Sequence, residues 1–126
     1  MRIKGVRHIK LTVTDLDRSK RFYQKIPGFK IVAEHPDFIM FYNNFLYLGL
    51  TTHKGKAKAK FDETTTGLDH ISFVVESKQD LDGVIIFFDK EKIPHGEIKK
   101  LSNNTYVLAF RDPDNIQLEL SWRGKG

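Results

Sequence analysis

Two histidines and one glutamate are the residues of this chain best suited to hold a metal ion. His8 and His70 occupy the same place in a phrase that occurs twice: Gly5-Val-Arg-His-Ile-Lys-Leu-Thr-Val13 aligns without gaps on Gly67-Leu-Asp-His-Ile-Ser-Phe-Val-Val75. The Gly, His, Ile and final Val are identical in the two copies. Glu119 lies in a late apolar-polar alternation, Ile116-Gln-Leu-Glu-Leu-Ser121. Two neutral imidazole nitrogens and one carboxylate oxygen make a facial triad, with coordination positions left open for substrate or water. Such a set suits Fe(II) or Mn(II) and tolerates Zn, Ni or Co. On these residues alone a plainer reading stays open. A strand histidine is commonly a hydrogen-bonded structural residue, and a soluble sheet often has one solvated polar face.

Strands must carry these groups. In 6–13, Ile9, Leu11 and Val13 point one way while His8, Lys10 and Thr12 point the other. In 68–75, Ile71, Phe73 and Val75 take the apolar face, leaving His70 and Ser72 opposite. In 115–121, Ile116, Leu118 and Leu120 are apolar, and Gln117, Glu119 and Ser121 share the other face. Each of the three metal-binding candidates is thus expected near the middle of a strand. Between the strands, Thr14-Asp-Leu-Asp17 offers cap oxygens for a short helix with a Leu16, Ser19, Phe22, Tyr23, Ile26 stripe, ended by Pro27-Gly28. Strands follow near 29–34, 38–43 and 45–51. In the second half Ser77 caps a helix bearing Leu81, Val84, Ile85 and Phe88. Strands near 94–100, 104–111 and 115–121 complete it, with Asp112-Pro-Asp-Asn115 as the last turn. Each half reads β-α-β-β-β, two copies of one unit.

Composition excludes several classes. The 126 residues are 40% hydrophobic and 29% charged, ordinary for a globular domain. No apolar run approaches the length of a membrane span, and Met1-Arg-Ile-Lys-Gly5 has no signal-like core, so a cytoplasmic protein without membrane contact is expected. With no cysteine there is no disulfide, zinc knuckle or thiol nucleophile. Part of the +5 net charge sits in Lys54-Gly-Lys-Ala-Lys-Ala-Lys60, which reads as a solvated loop. Nucleic-acid binding is not expected, because no basic face interleaved with aromatics is visible.

Three stretches carry a family resemblance: His8-Ile-Lys-Leu-Thr-Val-Thr-Asp-Leu-Asp-Arg-Ser19 with Phe22-Tyr23, Gly67-Leu-Asp-His70, and Phe110-Arg-Asp-Pro-Asp-Asn-Ile-Gln-Leu-Glu-Leu120. Over residues 4–122 the chain resembles the vicinal oxygen chelate superfamily, which includes glyoxalase I, extradiol dioxygenases, fosfomycin-resistance transferases and bleomycin-resistance proteins. The resemblance implies an α+β fold in one domain over 1–126, with two βαβββ modules forming a curled mixed sheet around a metal cavity. Module 1 would span about 4–52, a connector 53–66, and module 2 about 67–122. His8, His70 and Glu119 match the family's ligand positions on the first, fifth and eighth strands. The fourth-strand position, a glutamate in glyoxalase I, falls here on Tyr47 or Gly49, so glyoxalase I chemistry is not implied unchanged. The fosfomycin transferases' threonine is Lys10 here, and their tyrosine aligns with Ala109. Short glyoxalase/dioxygenase-like proteins share Phe61-Asp-Glu63 and Thr66-Gly-Leu-Asp-His70.

What the resemblance implies is a metal-dependent enzyme acting on a small oxygen-rich metabolite by bidentate chelation to a divalent ion, of lyase, isomerase or dioxygenase type. The alternative is a metal-free sequestering protein of the bleomycin-resistance type. Glu119 would be mainly a ligand. Lys10, two residues beyond His8, would hold a substrate carboxylate or phosphate, or else reach solvent at the rim. Tyr47 would donate a hydrogen bond to substrate or pack in the wall. His53 would approach the metal if its strand ran on, or else start the connector. His35 and His95, each beside a proline, read as turn residues. The 54–66 loop would act as a lid or be without function. A homodimer is implied, with His8 joining His70 and Glu119 within one chain or across two.

Overall fold

The computed structural model describes residues 1–124. The chain divides into two compact units, Met1–Lys60 and Phe61–Gly126. The first unit runs β1 (His8–Thr12), α1 (Leu16–Lys25), β2 (Lys30–His35), β3 (Phe38–Tyr42) and β4 (Tyr47–Thr51). The second runs β5 (Ile71–Val74), α2 (Lys78–Lys90), β6 (Lys99–Lys100), β7 (Thr105–Arg111) and β8 (Gln117–Arg123). Both are βαβββ. Each forms a four-stranded mixed sheet of the same topology, β1-β4-β3-β2 and β5-β8-β7-β6, in which the first strand pairs parallel with the last. The α+β class and the duplicated unit are therefore as the sequence predicts.

The helices form where caps and stripes meet. Asp15 caps α1 by accepting from the Arg18 amide at 3.0 Å. The face bearing Ser19, Phe22 and Tyr23 is buried. Pro27-Gly28 follows, with Gly28 at φ +93, a conformation that glycine adopts without strain. Ser77 and Asp80 make a reciprocal capping box on α2, which buries Leu81 and Phe88. Each helix covers the apolar face of its own sheet: Leu11, Val13, Leu48 and Leu50 are buried in the first unit, Ile71, Leu118 and Leu120 in the second. The opposite faces carry the polar series that alternation predicts.

Three elements differ from the sequence reading. β1 starts at His8 rather than at residue 6, so this histidine stands at a strand end. β5 starts only at Ile71, and His70 precedes it. The Gln117 side-chain amide donates to the Asp69 carbonyl at 3.3 Å, taking the acceptor that a continued ladder would have used. β6 shrinks to two residues because the pairing with β7 slips by one residue between His95–Phe110 and Lys99–Val107. The 94–96 stretch touches β7 only through an isolated His95–Phe110 bridge and two backbone bonds, Gly96 to Ala109 and Arg111 to Pro94.

The connector is shared out. Residues 53–60 belong to the first unit, and the segment from Phe61 on is fastened to the second. The Phe61 amide donates to the Asp114 carbonyl at 2.8 Å, and the Asn115 amide group donates to the Phe61 carbonyl at 3.1 Å. Asn115, at φ 67, closes the Asp112–Asn115 turn. Asp112 Oδ1 braces that turn by accepting from the amides of Asp114 and Ile116.

Candidate metal centre and its supports

Glu119 sits in the middle of β8 on the face turned away from α2, beside Ser72 of β5 and Ala109 of β7. His70, one step before β5, reaches the same face. Its Nε2 lies 3.9 Å from Glu119 Oε2. That gap is too long for a hydrogen bond. Two neighbouring donors each about 2.1 Å from one divalent ion stand about 3 Å apart, so the pair would close by roughly 1 Å to share one.

What aims His70 is a chain of contacts invisible to strand periodicity. His70 Nδ1 lies 2.7 Å from Asp69 Oδ1. With Nδ1 engaged as donor to a carboxylate, Nε2 keeps its lone pair for a metal, the usual arrangement of a ligating imidazole. Asp69 Oδ1 is itself held by the Gln117 side-chain amide at 3.0 Å. Gln117 Oε1 in turn accepts from Arg111 Nη2 at 3.3 Å. Arg111 is fixed by a two-pronged ion pair with Glu63, both bonds 2.9 Å. Hydrogen bonding from Arg111 pulls the Glu63 carboxyl down to about 2, and the Arg111 guanidinium is pushed further up by the same contact. Glu63 thus ties the latter part of the connector to β7, and Asp69, Gln117 and Arg111 join it to the imidazole. No sequence pattern singled out this network. Its trace in the sequence is the Phe61-Asp-Glu63 and Gly67-Leu-Asp-His70 stretches, which carry a resemblance but no sign of contact.

In the first unit His8, Lys10 and Thr12 share the face turned away from α1, paired with Tyr47, Gly49 and Thr51 respectively. Tyr47 stacks on Tyr42, ring centroids 4.4 Å apart, and remains exposed. Lys10 crosses β4 to lie over the Phe38 ring on β3, its Nζ 4.7 Å from the centroid. Gly49 permits this crossing. A Cβ there would meet Lys10 Cγ and a Phe38 ring carbon, each at 3.3 Å. The fourth-strand position therefore provides room, not a carboxylate.

His53 starts a turn rather than extending β4. It has φ 51, its amide donates to Thr51 Oγ1 at 3.1 Å, and its Nε2 lies 3.2 Å from Thr12 Oγ1. His35 ends β2 and stacks on Phe38. His95 bonds Asp89 through Nε2 at 2.6 Å and the Gly96 carbonyl through Nδ1 at 2.7 Å. The bond from Asp89 raises its pKa above the ordinary value, helped by Gly96.

Of the three expected ligands, the structure brings His70 and Glu119 together and places His8 on the first unit's sheet. Among the described residues no three His, Cys, Asp or Glu side chains gather as a closed metal-holding group. The His70–Glu119 pair suits a divalent ion in donor type and in the hydrogen bond that supports His70. Two donors are fewer than a coordination shell needs.

Residues 5–120 match the model of the Glyoxalase/Bleomycin resistance protein/Dioxygenase superfamily. A solved glyoxylase/bleomycin resistance protein/dioxygenase domain from Frankia sp. EAN1pec is 37% identical, with a TM-score of 0.87 over 98% of this chain and 100% of that one. A lactoylglutathione lyase from Agrobacterium tumefaciens, 21% identical, shares the fold with a TM-score of 0.78 over 95% of this chain and 94% of its own. An uncharacterized protein of Bacillus subtilis (strain 168), YqjT, is 26% identical over 127 residues, covering 90% of this chain and 94% of that protein. Among the described residues no helix is long and apolar enough to cross a membrane.

Proposed function

We propose, because the chain belongs to the Glyoxalase/Bleomycin resistance protein/Dioxygenase superfamily, that it is a metal-dependent enzyme acting on a small metabolite with two neighbouring oxygens. The observation that carries the reading is His70 Nε2 facing Glu119 Oε2 at 3.9 Å while Nδ1 is tied to Asp69. His70 and Glu119 would hold the ion with His8 as third donor. Fe(II) or Mn(II) suits two imidazoles and a carboxylate, and Zn, Ni or Co is tolerated. When bound, the ion supplies Lewis-acid stabilisation of the enolate or oxyanion that develops on the substrate.

The chain's own residues do the rest. Asp69 keeps the proton of His70 on Nδ1 and the lone pair on Nε2. Glu119, about four-fifths buried, brings one negative charge that offsets a divalent cation and retains it. Lys10, held over Phe38, offers a cation to a substrate carboxylate or phosphate, and Tyr47 offers a phenolic hydrogen bond on the same face. A homodimer is part of the same reading.

Metal analysis of protein purified without chelator tests it. A stoichiometric first-row metal, lost in His70→Ala and in Glu119→Ala, is the expected result. Metal-free wild type that still binds small ligands would replace the enzyme with a sequestering protein. Anaerobic loading with Fe(II) followed by oxygen uptake on catechol-like substrates separates oxygenation from isomerisation.

A further inference from the structure

A second candidate site lies wholly within the first unit and uses none of the proposed metal ligands. An open groove of about 630 Å³ is lined by Thr12, Thr51, His53, Lys54, Lys56 and Ala57, with Asp37 on its wall. This volume is in the range of small-molecule sites. It lies at the far end of β1 from His8, about 13 Å along the strand.

The groove is built by an unusual turn. His53, Lys54 and Gly55 are three consecutive residues in the left-handed region, at φ 51, 58 and 79. Only glycine adopts that region freely, and strained backbone of this kind concentrates at functional sites. Four hydrogen bonds hold the turn: His53 amide to Thr51 Oγ1, Gly55 amide to Thr52 Oγ1, Lys56 amide to the His53 carbonyl, and Ala57 amide to the Thr52 carbonyl. The His53 imidazole then pins it to Thr12 on β1. The result divides the lysine run. Lys54 and Lys56 line the groove, and Lys58 and Lys60 do not.

Two lysines, two threonines and a histidine line one concavity. Together they match the charge and many acceptor oxygens of a phosphoryl group. The volume leaves room for more than a phosphate, and Asp37 offers an acceptor for hydroxyl or amino hydrogens on the remainder. We propose that the groove over Thr12 and Thr51 binds the phosphoryl end of a small hydroxylated metabolite, with Lys54 and Lys56 as its cationic contacts.

Amide NMR titration of the full chain with inorganic phosphate, sn-glycerol 3-phosphate and acetate tests this. Saturable shifts centred on Thr12, Thr51 and His53 are expected with both phosphates, and tighter binding of the glycerol ester. The Lys54→Ala/Lys56→Ala variant should weaken both by about tenfold or more, the usual scale for losing charged hydrogen bonds. Lys58→Ala/Lys60→Ala removes the same net charge and should stay within about twofold of the wild type. Thr12→Val, nearly isosteric, should also weaken binding. Equal losses in the two lysine variants would reduce the effect to general charge and overturn the site. Acetate binding as tightly as phosphate would overturn the phosphoryl assignment, and no saturable shift at the groove would overturn both.

Discussion

Replacing Asp69 with alanine should loosen metal binding while leaving the fold intact. The carboxylate holds His70 Nδ1 at 2.7 Å, and its removal frees the imidazole to rotate and to change tautomer. Losing the partner of a ligating histidine generally lowers metal affinity by about 10- to 100-fold. Here the lower end applies, because the Asp69 side chain is 66% exposed and water can replace part of what it provides. The expected loss is therefore about tenfold. Asp69→Asn keeps an oxygen acceptor for Nδ1 but not the charge, and should lose about threefold, the scale of one exposed charge interaction. The assay is competition for Mn(II) or Co(II) against a chelating fluorophore, with thermal melting of the apo forms as control. Melting should move little, since an exposed pair contributes little to stability. If Asp69→Ala binds the ion as tightly as wild type while His70→Ala loses it, Asp69 does not position the imidazole. If neither variant changes affinity, any bound metal lies elsewhere.

Three further outcomes follow from named contacts. Glu63 titrates near 2 when paired with Arg111, against an ordinary 4.5, so its contribution is fully present above pH 4.5 and disappears as pH falls toward 2. The melting-temperature gap between wild type and Glu63→Gln should accordingly be widest above pH 4.5 and close toward pH 2. His95 has the opposite sign: its raised pKa makes the Asp89 contact fully stabilising below 6.5 and lost as pH rises through the raised value. In Asp89→Asn the His95 ring resonances should titrate nearer 6.5; an unchanged midpoint would show that Asp89 is not the cause. Phe110, 1% exposed and 4.7 Å from the Phe88 ring, fills the second unit's core, so Phe110→Ala should cost about 3–5 kcal/mol in urea denaturation.

Much of this protein is legible before any coordinates, because its local rules agree. The twice-used phrase around His8 and His70, the period-2 strands, Asp15 and Ser77 as caps and the Asp112–Asn115 turn each depend on neighbours a few residues away. They predict two βαβββ units and put Glu119 on a polar face. Element limits were less legible. β5 loses its first residues to a side chain 48 positions later, Gln117, and β6 is cut short by a one-residue slip in register against β7, a strand it meets only after folding.

Amino-acid order alone determined which side chains share a face, since that follows from backbone geometry within one strand. Tertiary structure decided which of those side chains meet. Asp69 and His70, adjacent in sequence, would point to opposite faces in a regular strand, and they bond because the ladder has not yet begun there. Glu63 reaches Arg111 only because Phe61 is fastened to the Asp112–Asn115 turn. The lysine run reads as four equivalent charges until three left-handed residues set Lys54 and Lys56 along the groove and leave Lys58 and Lys60 off it. Contacts of this kind depend on where the backbone leaves the regular strand or on chain closure over tens of residues, and no local periodicity encodes either.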